Sequence, residues 1–307
     1  MWRDIDPRPD ERERPVLSRG SGGDQDRHES HSTDPRDVFS RDLDLPRGTR
    51  RKPVRDRDRS VALRESEVRI LATIGAFRVV PAKDLLDHRG RPSSSRQGEL
   101  RRLREEGLVE ARPYVVGREK TSLVTLTERG RELLEHHRIE RGDARQEFYA
   151  GVVKPRELAH DSQLYRAYLH AAEHLRRGGS TVKRVALDYE LKRDYQRFLR
   201  DLNRERRRAE RDGDAAARDV AEWAARRDLP VIDGHVHFPD VRIEYERPDG
   251  ERKVEDVEVV TPHYRGAYAA AKGRTGFSCY RIDTGVGGRG GRSGRSPDPR
   301  IFEEFLG

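Results

Sequence analysis

Residues 235–282, HVHFPDVRIEYERPDGERKVEDVEVVTPHYRGAYAAAKGRTGFSCYRI, constrain the fold more than any other stretch. Asp240–Tyr245 alternates in polarity, and alternate side chains of a strand share one face. Pro248-Asp249-Gly250 reads as a hairpin turn, with Pro presetting φ, Asp bonding back to the backbone and Gly supplying a positive φ. Val254–Thr261 reads as the returning strand, Tyr264–Lys272 as a helix and Phe277–Ile282 as a short apolar strand. Asp240 then starts one strand, Glu258 lies within the next, and Lys272 rides the following helix. Two carboxylates on neighbouring strands with an ammonium nearby are parts that can hold a divalent metal and cut a phosphodiester.

Upstream residues complete that unit. Asp161–Arg177 sets Leu164, Tyr165, Tyr168, Leu169, Ala172 and Leu175 along one side of a helix closed by Gly178-Gly179. Thr181–Tyr189 alternates as a strand. Glu190–Arg227 reads as a long helical region broken near Gly213, with Trp223 as its docking anchor. Its interleaved arginines and glutamates suit a solvated face supported by i,i+4 pairs.

Residues 60–140 have a different character. Helical spacing over Ser66–Ile74 predicts a first helix capped by Ser66, and Val79–Leu86 a turn into a short second one. Pro92–Gly107 predicts a third helix, capped by serines and stopped by glycine, with Leu100 and Leu103 inward and Ser95, Arg96, Arg101 and Arg104 outward. Two β-prone runs, Leu108–Val116 and Ser122–Leu126, meet at Gly117-Arg118-Glu119-Lys120, and Thr127 caps a fourth helix. Three helices, a hairpin and a closing helix make a winged helix-turn-helix. The pattern L-x-x-L-x-x-x-G-L-V, then a hairpin and L-T-x-x-G-x-x-L, resembles MarR-type and related winged-helix domains. The resemblance implies that Ser94, Ser95, Arg96, Arg101 and Arg102 enter the major groove while Arg118 and Lys120 grip flanking phosphates. A winged helix used only for protein contacts is the competing reading; the serine-arginine helix start and basic hairpin tip favour double-stranded DNA.

Composition bounds what surrounds these two units. Charged residues make up 39% of 307 and hydrophobic ones 33%, so part of the chain must be tail or solvated helix. Residues 1–59 lack apolar periodicity and read as a disordered tail, 141–160 as a connector, and 285–307 as a Gly/Arg-rich tail resembling segments that bind nucleic acid without sequence preference. A net charge of +8 favours a polyanionic partner. One cysteine, Cys279, rules out an intramolecular disulfide and a four-cysteine zinc site and points to a reducing compartment. With no apolar run of about 18 residues and no apolar signal core at the N-terminus, the expected location is the cytoplasm.

The fold class expected is α+β: a winged helix-turn-helix domain at 60–140, followed by an αβββαβ restriction-endonuclease-like domain at 161–284 with a helical insertion at 190–228. That element order is similar to the PD-(D/E)xK nuclease core, and the two-domain layout resembles the replication-relaxation family of plasmid and mobile-element proteins. The resemblance covers residues 60–282. Pro239-Asp240 matches the family's Pro-Asp, and Glu258 stands where its second acid falls. Its lysine, two residues later, is replaced by Val260, and Lys272 on the next helix is the substitute. The resemblance thus implies Mg²⁺ held by Asp240 and Glu258, with Lys272 positioning the attacking water.

Two further motifs compete. Asp233-Gly234-His235-Val236-His237 looks like the His-x-His strand of amidohydrolases, but such a barrel needs far more chain than the roughly 70 residues that follow. His160-Asp161 opens a helix and is explained by Asp161 as N-cap. The expected function is DNA binding of plasmid or mobile-element replication/relaxation type, with a nuclease-fold domain that either nicks DNA metal-dependently or is inactive. The alternative is a winged-helix transcriptional regulator whose C-terminal domain senses a ligand or dimerises. Winged helices often act as two-fold dimers, but no dimerisation heptad is visible.

Overall fold

The computed structural model describes residues 34–57, 59–116, 119–139, 145–151, 157–209, 213–260 and 274–281. The fold is α+β. In chain order its helices are α1 (Glu65–Phe77), α2 (Gly98–Glu105), α3 (Glu128–His136), α4 (Leu158–Arg177), α5 (Asp188–Ala209) and α6 (Gly213–Ala225). Its strands are β1 (Lys52–Asp56), β2 (Arg59–Leu63), β3 (Val80–Pro81), β4 (Val109–Val116), β5 (Glu119–Leu126), β6 (Thr181–Leu187), β7 (Val231–Ile232), β8 (His235–Val236), β9 (Val241–Glu246), β10 (Arg252–Val260) and β11 (Ser278–Arg281).

In the first half, α1, α2 and α3 accompany an antiparallel three-stranded sheet of order β3-β5-β4. Thr127 caps α3 by accepting from the Gly130 N–H at 3.0 Å. Gly130 brings α3 onto the backbone, since a Cβ there would lie 2.1 Å from the Leu108 carbonyl oxygen. In the second half the sheet order is β6-β9-β10-β11, antiparallel except for the parallel β10–β11 pair. The alternation read from sequence sets the layers. Val185, Leu187, Val241, Ile243, Val257 and Val259 are buried with Leu164, Tyr165 and Tyr168 of α4 in one core. On the adjoining rungs stand Arg184 with Glu244 and Arg242 with Asp256. Trp223 anchors the helical insertion in a separate cluster with Leu229, Tyr195, Phe198 and Phe238.

That main core runs without interruption from Phe39 to Val259, so both halves share it. Phe39 sits edge-on to Phe77 of α1 at 5.3 Å and tilts against Tyr168 of α4 at 5.2 Å. The Tyr168 hydroxyl donates to the Pro35 carbonyl at 2.6 Å, and Arg166 of α4 grips Asp84 through two bonds of 2.6 and 3.0 Å.

These contacts correct the reading of 1–59 as a disordered tail, because residues 34–57 are built into the fold; residues 1–33 lie outside the described residues. A two-turn 3-10 helix (Pro35–Ser40) carries Phe39 inward, and β1 and β2 pair as a hairpin. Phe39, Leu43 and Leu45 are too few to mark a period in sequence, yet all are buried. Four helix expectations change as well. The second helix is only a 3-10 turn, Ala82–Asp84, and the third begins at Gly98 rather than Pro92. Arg64, not Ser66, occupies the N-cap of α1. Likewise α4 starts at Leu158, so Asp161 lies in its first turn and is not its cap. The helix expected at 264–272 falls outside the described residues.

Candidate nucleic-acid interface and carboxylate site

α2 is amphipathic at a spacing that buries Leu100 and Leu103 and leaves Arg101 and Arg104 exposed. The chain before it carries the exposed Arg89, Arg91 and Arg96, and Lys120 is exposed on β5. In this arginine-rich chain most such cations are tied to carboxylates. Arg101 follows that rule, bonding Glu105 at 2.7 Å. Arg89, Arg91, Arg96, Arg104 and Lys120 have no ion pair among the described residues. A cation outside contact range of a carboxylate is the more available to a phosphate, although Arg91 also acts through its charge on Asp87.

The predicted contact residues do not all stand on this surface. Ser94, Ser95 and Arg96 precede α2 instead of opening it, and Ser94 and Arg96 are exposed. Ser95 is buried and its hydroxyl bonds that of Ser122 at 2.9 Å, which takes it out of the outward set. Arg102 also points inward. It bonds Glu67, a fully buried carboxylate of α1, at 3.2 Å, and Arg51 closes on the same carboxylate at 2.8 Å. Removing a buried charge from water is costly unless it is paired, so Arg102 has a folding role. Arg118 lies outside the described residues. Arg89 and Arg91 were missed because nothing periodic marks a loop.

The carboxylates lie at one end of the β9–β10 ladder. Val241 pairs with Val257, Asp240 precedes the first and Glu258 follows the second. Asp240 Oδ2 accepts the Val259 backbone N–H at 2.8 Å and stands 3.1 Å from His160 Nε2. His160 Nδ1 faces Asp161 Oδ1 at 3.4 Å. Burial alone lowers the imidazole pKa, but the hydrogen bonds and charges of Asp161 and Asp240 overcome it and raise it to about 10. At neutral pH His160 is therefore an imidazolium clasping the N-terminal turn of α4 to the start of β9. Sequence reasoning had set the His160-Asp161 pair aside, since only the fold brings residue 160 to residue 240.

Glu258 is buried at 2% exposure, and Asp256 is held by a two-pronged Arg242 contact of 2.7 and 2.6 Å. Lys272 lies outside the described residues. His235 is exposed on β8, which pairs only with β7, so the His-x-His motif is not part of the larger sheet. A resident Mg²⁺ demands a set of free oxygen donors. Among the described residues no group of three or more His, Cys, Asp or Glu stands close enough to hold a metal ion. With Asp240 Oδ2 shared between an imidazolium and an amide, the described donors do not by themselves make such a site.

No helix among the described residues is long and apolar enough to cross a membrane. The chain matches no family model, no curated protein and no solved structure.

Proposed function

We propose that this protein binds double-stranded DNA through a winged helix formed by residues 60–140, with the 161–284 sheet serving as a nuclease-like scaffold that does not itself cut. The observation that carries the reading is the set of cations without ion pairs around α2 and β5: Arg89, Arg91, Arg96, Arg104 and Lys120. The β3-β5-β4 order beside three helices is the arrangement in which α2 would lie in the major groove and the β4–β5 hairpin against the backbone. The β6-β9-β10-β11 order, with β11 parallel to β10, supports the nuclease-like reading of the second sheet and the likeness to replication-relaxation proteins. Against cutting stand the engagement of Asp240 by His160 and of Asp256 by Arg242.

Fluorescence anisotropy with a labelled duplex across a salt series tests the binding. Each phosphate contact contributes roughly one unit to the slope of log affinity against log salt, so Arg104→Gln/Lys120→Gln should flatten it by about two. An unchanged slope and affinity would remove the proposed face. Incubation of the protein with supercoiled plasmid in Mg²⁺ or Mn²⁺, with EDTA as control, addresses cutting. Open circles that need metal and vanish in Asp240→Ala would make the scaffold a working nuclease and overturn that half of the proposal.

A further inference from the structure

A cleft of about 490 Å³ opens where the ends of α1 and α3 meet α5 and the 145–150 segment. Its size is that of a small-molecule site, and its charge is lopsided. Five arginines line it, Arg78, Arg131, Arg138, Arg145 and Arg193, against only Glu135 and Glu147, an excess of three positive charges. The two glutamates are already taken. Glu135 serves both Arg138 and Arg145, while Glu147 receives two bonds from Arg193 at 2.6 and 2.8 Å. Arg131 bonds Glu128, which is not on the cleft wall, at 2.8 Å.

Arg78 has no carboxylate partner among the described residues, and its Nε is buried without a hydrogen bond. Its guanidinium lies 4.3 Å from the ring centre of Tyr189 and 5.9 Å from that of Tyr149. The backbone that presents it is strained. Arg78 has φ 65° and ψ −49°, and the Val79 N–H bonds the Phe77 carbonyl across it at 2.7 Å. That is a γ-turn of the rare positive-φ kind, which a side chain disfavours and glycine tolerates. Strain of this sort persists where surrounding contacts over-determine it, often at ligand sites. Arg138 lines the same cleft with its side chain only 8% exposed: its Nη atoms bond Glu135 and the Gln146 carbonyl, while its Nε lacks a partner. Burial pushes the Arg138 guanidinium below its usual range, against the opposing pull of Glu135 and Glu147.

We propose that this cleft binds a small anion carrying linked phosphates, either free pyrophosphate or the polyphosphate of a nucleotide, with Arg78 and Arg138 at its floor and Arg131, Arg145 and Arg193 at its rim. Planar guanidinium forks match phosphate oxygens in pairs, which suits a polyphosphate better than a monovalent anion. The site is separate from the α2 surface and does not depend on the DNA-binding reading.

The test is isothermal titration of the full chain with pyrophosphate, ATP and adenosine, at constant ionic strength set with sodium chloride. Saturable binding of pyrophosphate and ATP, without adenosine, is expected; binding of ATP alone would identify a nucleotide as the source. Arg78→Gln should weaken that binding about tenfold or more. Arg131→Gln, at the half-buried rim, should weaken it less and guards against a folding defect in the first variant. Arg104→Gln/Lys120→Gln should bind the anion as the wild type does. No heat beyond the chloride control overturns the proposal. Equal affinity in Arg78→Gln, or a loss confined to the Arg104/Lys120 variant, overturns it as well, the latter because the anion then sits on the DNA face.

Discussion

Replacing His160 by Gln keeps a hydrogen-bond donor opposite Asp240 and removes the charge. The imidazole pKa rises from 6.5 unfolded to about 10 folded. A group raised on folding contributes stability that is fully present below its unfolded pKa and is lost as pH climbs through the folded one. The window therefore runs from about pH 6.5 to about pH 10. At ~1.4 kcal/mol per pH unit, the full rise sets a ceiling of about 5 kcal/mol. The side chain is 28% exposed, and screening by solvent brings the expected contribution down to about 2–3 kcal/mol. Urea unfolding at pH 6, 8 and 10 should show the wild type losing that much more than His160→Gln, with the two proteins converging near pH 10. Lysine and tyrosine titrations are common to both and cancel in the difference. Parallel pH profiles would refute the clasp and return Asp240 to other partners, a metal ion among them.

Other expectations follow from single contacts. Gly130→Ala forces a Cβ against the Leu108 carbonyl, a backbone atom that cannot rotate away, and should cost about 1–3 kcal/mol in chemical unfolding. Glu67→Gln leaves Arg51 and Arg102 without their shared buried carboxylate and should destabilise by ~3 kcal/mol, read as a lowered midpoint in thermal unfolding. Arg102→Gln should lower stability while leaving duplex affinity nearer the wild type than Arg104→Gln does; the reverse order in anisotropy would return Arg102 to the proposed DNA surface. Phe39→Ala empties the aromatic contact between α1 and α4 and should cost ~3–5 kcal/mol in one cooperative transition covering both halves.

Much of the second half was legible because its strands obey a period of two. Val241, Ile243, Val257 and Val259 turn inward as their alternation requires, and Pro248-Asp249-Gly250 makes the turn between them. The Trp223 anchor was legible for a similarly local reason, as the only tryptophan of the helical insertion. Segment 34–45 was not legible, since its three buried apolar residues gain their meaning only from α1 and α4. The α2 start was misread because serines that cap helices in one context make a turn and a buried hydroxyl pair in another.

The carboxylate region divides in the same way. Local polarity, turn chemistry and strand period determined that Asp240 and Glu258 would fall at one end of two adjacent strands, Asp240 just before β9 and Glu258 within β10. Only the tertiary structure could bring residue 160 to residue 240, set Arg242 against Asp256, and sort the arginines of one helix into an inward Arg102 and an outward Arg104. Pattern carries the direction of a side chain relative to its own element. The partner a charge meets depends on how distant elements pack, and that partner decides whether an arginine holds the fold or is left for phosphate.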